Sequence, residues 1–222
     1  MRRPGAGPWM AGAFGIALLL ALAVLLSAGT GDGGTIAALR LTARWSYLCF
    51  WPAYAGGALA ALFGPTFRSL AERGREFGLA FAAAQLVHAG LVLWLYYSSA
   101  HPPGQRTLLI FGIALFWTYL LAVFSIRRIA GTLAPRVWRA IRTLGVEYIA
   151  LAFLIDFAKN PFQGSVEHAL AYLPFQILAV AAPALRLAAF MHRRARSRRP
   201  VAHGDAAAST AGAELQRPSL AP

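Results

Sequence analysis

Residues 77–97 read FGLAFAAAQLVHAGLVLWLYY, an apolar run with no Asp, Glu, Lys or Arg. A helix needs roughly 17–25 mostly apolar residues to cross a ~30 Å hydrocarbon core. A soluble helix would instead alternate an apolar and a polar face. Working outward, runs of the same kind occupy Trp9–Ala28, Trp45–Phe63, Leu108–Ile126, Ile141–Ala158 and Leu170–Met191. Arg142, Glu147 and Asp156 interrupt the Ile141–Ala158 run. Across the 222 residues, 58% are hydrophobic and 13% charged. The expectation is an all-α integral membrane protein, a bundle of six transmembrane helices.

Turn chemistry separates the runs: Gly-Asp-Gly-Gly at 31–34, Gly64-Pro65, Pro102-Pro103-Gly104, Pro135 and Asn160-Pro161. The net charge of +13 rests on twenty arginines and one lysine, and the arginines cluster in alternate breaks. Arg2 and Arg3 open the chain; Arg68, Arg73 and Arg75 follow the second run; Arg127 to Arg139 follow the fourth; Arg193 to Arg199 follow the sixth. The other breaks hold only Arg40, Arg44, Arg106 and Lys159. The positive-inside rule then puts both termini in the cytoplasm. This placement reads as membrane topology, not nucleic-acid binding, and Arg193–Arg199 reads as an anchor touching anionic lipid. Trp45, Tyr47, Trp94, Tyr96, Tyr97 and Tyr172 are expected as an aromatic belt at the outer interface. Three parts follow: a short basic N-terminus at 1–8, a six-helix domain at 9–192, and a basic then disordered tail at 193–222. The alternative for the first run is a cleaved signal peptide, since Met-Arg-Arg precedes it and small residues follow.

Charged and imidazole groups at bilayer depth are costly and turn toward the bundle interior or water. His88 falls near the middle of its run. A neutral imidazole there can ligate a metal or haem iron; the alternative is a histidine hydrogen-bonded to a neighbouring helix. Glu147 is expected to pair with Arg186 or Arg142, and Asp156 with Lys159 in an exposed pair near the outer interface. Gly12, Gly15, Gly56, Gly57, Ala60, Ala61, Ala80 and Ala84 are expected to allow close helix contacts, and Pro52, Pro174 and Pro183 to kink their helices. The lone Cys49 has no internal partner, which excludes an intramolecular disulfide. No glycine-rich phosphate loop, HExxH or GxSxG is present.

Three stretches carry a family resemblance: TARW at 42–45, REFGLAFAAAQLVHAGLVLWLYY at 75–97, and FGIALFWTYLLAVFSIRRIAGTLAPRVWRAIR at 111–142. Together they resemble the ferric-reductase-like transmembrane domain, most of all the haem-bearing membrane subunit of bacterial periplasmic methionine sulfoxide reductase systems. The matching positions are Thr42, Ala43, Trp45, Arg75, Gly78, Leu79 and His88, and the likeness covers about 42–190. It implies an electron-transfer subunit of the bacterial inner membrane that binds haem b, with His88 as a ligand and a separate redox partner protein. An active form would be a membrane oxidoreductase subunit. At two positions where the family carries haem histidines this chain has Arg142 and Ile155. Guanidinium has no lone pair to offer iron and isoleucine has no donor atom. Neither His101 before Pro102 nor His168, His192 and His203 is placed opposite His88. The alternatives are a haemless scaffold or partner-binding subunit of the same fold, and a small transporter or assembly factor using Glu147 and Arg186.

Overall fold

The computed structural model describes residues 5–99, 102–125, 134–158 and 166–197, the last of these with side chains from 169. Every element among the described residues is helical: α1 (Ala6–Ala28), α2 (Asp32–Phe63), a 3-10 turn (Pro65–Phe67), α3 (Arg68–Glu72), α4 (Gly74–Ser98), α5 (Gln105–Phe124), α6 (Pro135–Phe157) and α7 (Val166–Ser197). Five of them, α1, α2, α4, α5 and the Ala169–Ser197 part of α7, are long and apolar enough to cross a membrane. The helix that falls short is α6, which contains the expected fifth span; Arg142, Glu147 and Asp156 leave it too charged by composition alone.

Contacts along the helices fix their directions. Thr42 meets His88 and Phe50 meets Phe81, so α4 runs antiparallel to α2. Tyr148 reaches Ile110 and Trp138 packs on Phe124, so α6 runs antiparallel to α5. Against α2, α6 is again antiparallel: Tyr54 meets Glu147 at one end and Tyr47 meets Phe157 at the other. Arg44 lies over Tyr172, and Arg186 bonds the Tyr54 carbonyl, so α7 runs parallel to α2. The polar helix α6 therefore runs through the bundle alongside its apolar neighbours.

An aromatic ladder holds the centre. Tyr47, Phe50 and Tyr54 on α2 meet Phe81 on α4 and Phe153 and Phe157 on α6, with ring centroids 4.9–5.9 Å apart for most pairs. Such pairs add roughly 0.5–1.5 kcal/mol each beyond burial. α1 packs on α4 and α2 through Ala13, Ala17 and Ala21, all buried at four-residue spacing. Small side chains at that spacing let helices approach closely. The glycines expected to do this, Gly12 and Gly15, have open space where a Cβ would stand. So does Gly57, whereas a Cβ at Gly56 would meet the backbone of Leu70 at 3.3 Å.

Other boundaries also differ from expectation. α2 begins at Asp32, not Trp45, and takes Arg40 and Arg44 into the helix. Arg44 sits 5.0 Å over the Tyr172 ring, and Arg40 lines a cavity. The α1–α2 turn is confined to Gly29–Gly31, with Gly29 at φ 83°. The earlier start moves Trp45 and Tyr47 about 20 Å down the helix, at ~1.5 Å per residue. Tyr47 is 2% exposed in the core, and the Trp45 indole donates to Ala13 O at 2.9 Å, so neither joins a surface belt. Trp94, Tyr96 and Tyr97 do lie exposed on α4. α7 extends to Ser197 and takes in Arg193, Arg194 and Arg196, and α2 and α7 remain helical through Pro52, Pro174 and Pro183. Arg2, Arg3, His101, Lys159, Asn160-Pro161, His203 and the tail beyond Ser197 lie outside the described residues.

The α5–α6 contact makes a testable point. Gly145 is buried, and a Cβ on it would stand 2.7 Å from the Trp117 ring. Gly145→Leu is expected to destabilise the bundle by about 1–3 kcal/mol through overpacking. Thermal unfolding in detergent, followed by helical circular dichroism, checks this. An unchanged midpoint would mean that the two helices do not meet there.

Candidate functional site

α5 leans on α6 and touches α4 only lightly. That loose seam opens into two cavities placed end to end. One, of about 460 Å3, is lined from α4 by Phe81, Gln85, His88 and Val92, a single helix face at i, i+4, i+7 and i+11. Its other walls come from Arg40 and Ala43 on α2, Phe111, Leu115 and Thr118 on α5, and Ile149, Phe153 and Asp156 on α6. The other cavity, of about 510 Å3, is lined by Tyr54, Glu72, Arg75, Gly78, Ser125, Trp138 and Arg142, among others. Phe81, Thr118 and Ile149 border both, so these three buried side chains form the partition.

His88 is held by α2. Thr42 is fully buried, and its hydroxyl donates within its own helix to Ala38 O at 2.9 Å, with Leu39 O also within reach at 3.1 Å. A hydroxyl has one proton to give; with that proton on Ala38 O, Oγ1 accepts from His88 Nδ1–H across 3.1 Å, and Nε2 then keeps its lone pair. An imidazole fixed through one N–H with the other nitrogen free is the arrangement metal-ligating histidines use. The hydrogen bond to a neighbouring helix is thus present, and it occupies one ring nitrogen of two.

Gln85, one turn from His88 on the same face, was missed by sequence reasoning. Its Oε1 is buried and has no hydrogen-bond partner, which for a buried acceptor costs roughly 1–3 kcal/mol. The readable signal was its spacing from His88. Asp156 also differs from expectation: it lines the His88 cavity, while Ile155 is absent from that lining. Its expected partner Lys159 lies outside the described residues.

At the other end of α6, Glu147 is clamped. Arg186 Nη2 lies 2.7 Å from Glu147 Oε1, and the Tyr54 hydroxyl donates to Oε2 at 2.6 Å. Arg186 also donates to Tyr54 O at 3.2 Å and lies 4.5 Å over the Tyr54 ring. Arg142 does not join this group; its side chain lines the 510 Å3 cavity and a cleft that Arg186 shares. Both carboxylate oxygens of Glu147 are engaged, as befits a clamp joining α2, α6 and α7.

The geometry tests which haem the cavity could take. The walls facing His88 carry Phe111, Gly112, Ala114, Leu115, Thr118, Ile149, Ala152, Phe153 and Asp156, with no second imidazole, thiolate or thioether. A bis-histidine haem does not fit these residues. A haem held through His88 would meet a mainly apolar lining with Arg40 in the wall as a cation, in a volume within the roughly 300–1,000 Å3 of small-molecule sites. Among the described residues no three His, Cys, Asp or Glu side chains converge on a point. In the comparisons with known proteins, no protein-family model, curated protein or solved structure matches this chain.

The clamp yields a prediction. Glu147 and Arg186 are 45% and 34% exposed, so the full value of a buried pair does not apply. Glu147→Ala is expected to cost about 1–2 kcal/mol of thermal stability. Arg186→Lys should recover only part of an Arg186→Ala loss, because a lysine cannot reproduce the flat, two-sided contact. Full recovery by lysine in melting experiments would reduce the clamp to simple charge attraction.

Proposed function

We propose that this chain is a ferric-reductase-like membrane subunit for electron transfer, with six helices crossing the bilayer, both termini cytoplasmic, and a haem b held by His88 alone. The observation that carries this reading is the His88–Thr42 pair. Thr42 and His88 come from separate stretches of the family resemblance, and they meet at the wall of a cofactor-sized apolar cavity. A bound haem would supply one-electron chemistry. The chain's own groups do the rest: Thr42 fixes the imidazole tautomer, Arg40 offers positive charge to carboxylates, and the apolar walls keep water from the cavity. Electrons would come from a separate redox partner protein. The alternating directions of α2, α4, α5, α6 and α7 support a crossing by α6, whose charges the Glu147 clamp and the cavities accommodate.

A second reading, a haemless scaffold of the same fold, is favoured by one specific feature. Arg142 lines the 510 Å3 cavity, at the position where the resemblance implies an iron ligand.

An optical spectrum of detergent-purified protein from haem-supplemented cells separates the two. The electron-transfer reading expects a Soret band and a dithionite-reduced α band near one haem per chain. These should be lost in His88→Ala and weakened in Thr42→Val, which frees the ring to change tautomer. A flat spectrum from folded protein would establish the scaffold.

Topology has its own check, in a Cys49→Ala background with Ser98→Cys or Ser197→Cys added. An impermeant thiol reagent should label the cysteine at 98 in intact cells and that at 197 only after lysis. Labelling of both in intact cells would overturn the six-crossing arrangement.

A further inference from the structure

The end of the bundle where α6 begins has a surplus of positive charge that the haem reading does not use. Arg136, Arg139 and Arg142 stand three residues apart along α6, all exposed. Among the described residues none of the three has a hydrogen-bond or ion-pair partner. The nearby carboxylate, Glu147, is already taken by Arg186 and Tyr54. Arg139, Arg142 and Arg186 line one cleft of about 370 Å3 between α2, α6 and α7, together with Trp138 and Thr143. From Arg139 and Thr143 a groove continues along α6 past Leu144 to Glu147, whose carboxylate, held by Arg186 and Tyr54, stands between Leu144 and Leu151. Leu144 is 60% exposed and Leu151, two turns further along the same face, 50%.

We infer that this cleft binds the phosphate headgroup of an anionic phospholipid, with Arg139 and Arg142 as its ligands and the Leu144–Leu151 face as the bed for an acyl chain. A soluble anion would match the arginines but would have no use for the apolar strip that leads away from them. A zwitterionic lipid would match the strip but bring its own cation to the arginines. Basic pockets between membrane helices on the cytoplasmic side take anionic headgroups for this reason, and arginine binds phosphate through two parallel N–H groups. Arg186 is not a free ligand, since its charge is spent on Glu147; its place in the cleft sets the rear wall. The inference rests on the membrane-spanning reading and is independent of haem.

Native mass spectrometry of the full chain, released from mild detergent with added phosphatidylglycerol or phosphatidylcholine, tests it. The wild type should retain one phosphatidylglycerol in preference to phosphatidylcholine by about 30-fold, from about 1 kcal/mol for each of the two arginines. Arg139→Gln/Arg142→Gln should abolish the preference, and each single variant should reduce it. Arg68→Gln/Arg73→Gln removes the same charge from the same end, at α3 and its junction with α4, and should leave the preference intact. Equal retention of the two lipids would overturn the site, as would equal losses in the two double variants, which would reduce the effect to net charge. Displacement by glycerol phosphate at equal concentration would identify a soluble-anion site instead. Recovery of the chain in carbonate-washed membranes separates failure of the lipid site from failure of the membrane reading. Should the double variant not fold, the two single variants carry the test.

Discussion

The aromatic contact between α2 and α6 constrains the rest of the bundle. Tyr47 and Phe50 on one helix and Phe153 and Phe157 on the other bind α6, the long helix that falls short of a span's composition, to the most central one. Once α6 is fixed there, α5 follows it through the Trp117–Gly145 and Trp138–Phe124 contacts. α4 is meanwhile held on the opposite flank of α2 by α1 and its alanine seam. The two pairs of helices cannot then close completely on each other. The seam between α4 and α5 opens into the two cavities, so the space for a ligand follows from the core packing.

Polar groups inside this bundle are satisfied mostly by backbone atoms. Trp45 reaches Ala13 O, Trp51 reaches Leu178 O, Arg75 reaches Ser125 O, and Tyr148 reaches Ile110 O. Each ties two helices without requiring a second polar side chain. Such bonds are individually modest, roughly 0.5–1.5 kcal/mol, but they set register where apolar packing alone would let helices slide. The Glu147 group differs: Glu147 is half exposed, and Arg186 and Tyr54 engage both of its oxygens.

The apolar runs made the helical class and five of the long helices readable, because hydrocarbon length and composition are properties of a segment by itself. What could not be read were features that depend on neighbours. Arg40 and Arg44 looked like loop charges because nothing in their own segment announces Tyr172 or a cavity on another helix. Tyr47 looked like an interfacial aromatic for the same reason: its depth depends on where α2 starts. Glycine pairs suggested close approach on α1, but alanines at four-residue spacing make it, since which face turns inward is decided by α4. His88 was visible as a polar residue in an apolar run. Thr42 appeared only as part of a resemblance, and Gln85 not at all, because an amide in a helix says nothing until its surroundings show it unpartnered.

On the reading proposed, the two halves of the seam have diverged chemically while keeping one architecture. Around His88 the walls are apolar, and one nitrogen donor is oriented by a buried hydroxyl, so that half suits a neutral or metal-bearing ligand bound through a lone pair. Across the partition of Phe81, Thr118 and Ile149, Arg75 and Arg142 line the cavity. Arg75 is tied to the end of α5, while Arg142 remains open both to this cavity and to the α6–α7 cleft. A guanidinium cannot ligate iron, but it attracts anions over a distance that imidazole cannot match. Replacing a ligand by a cation at that position therefore changes the kind of ligand the half would accept, from one held by coordination to one held by charge. On the readings proposed, one arginine would stand both where the resemblance implies a cofactor ligand and where a lipid headgroup docks.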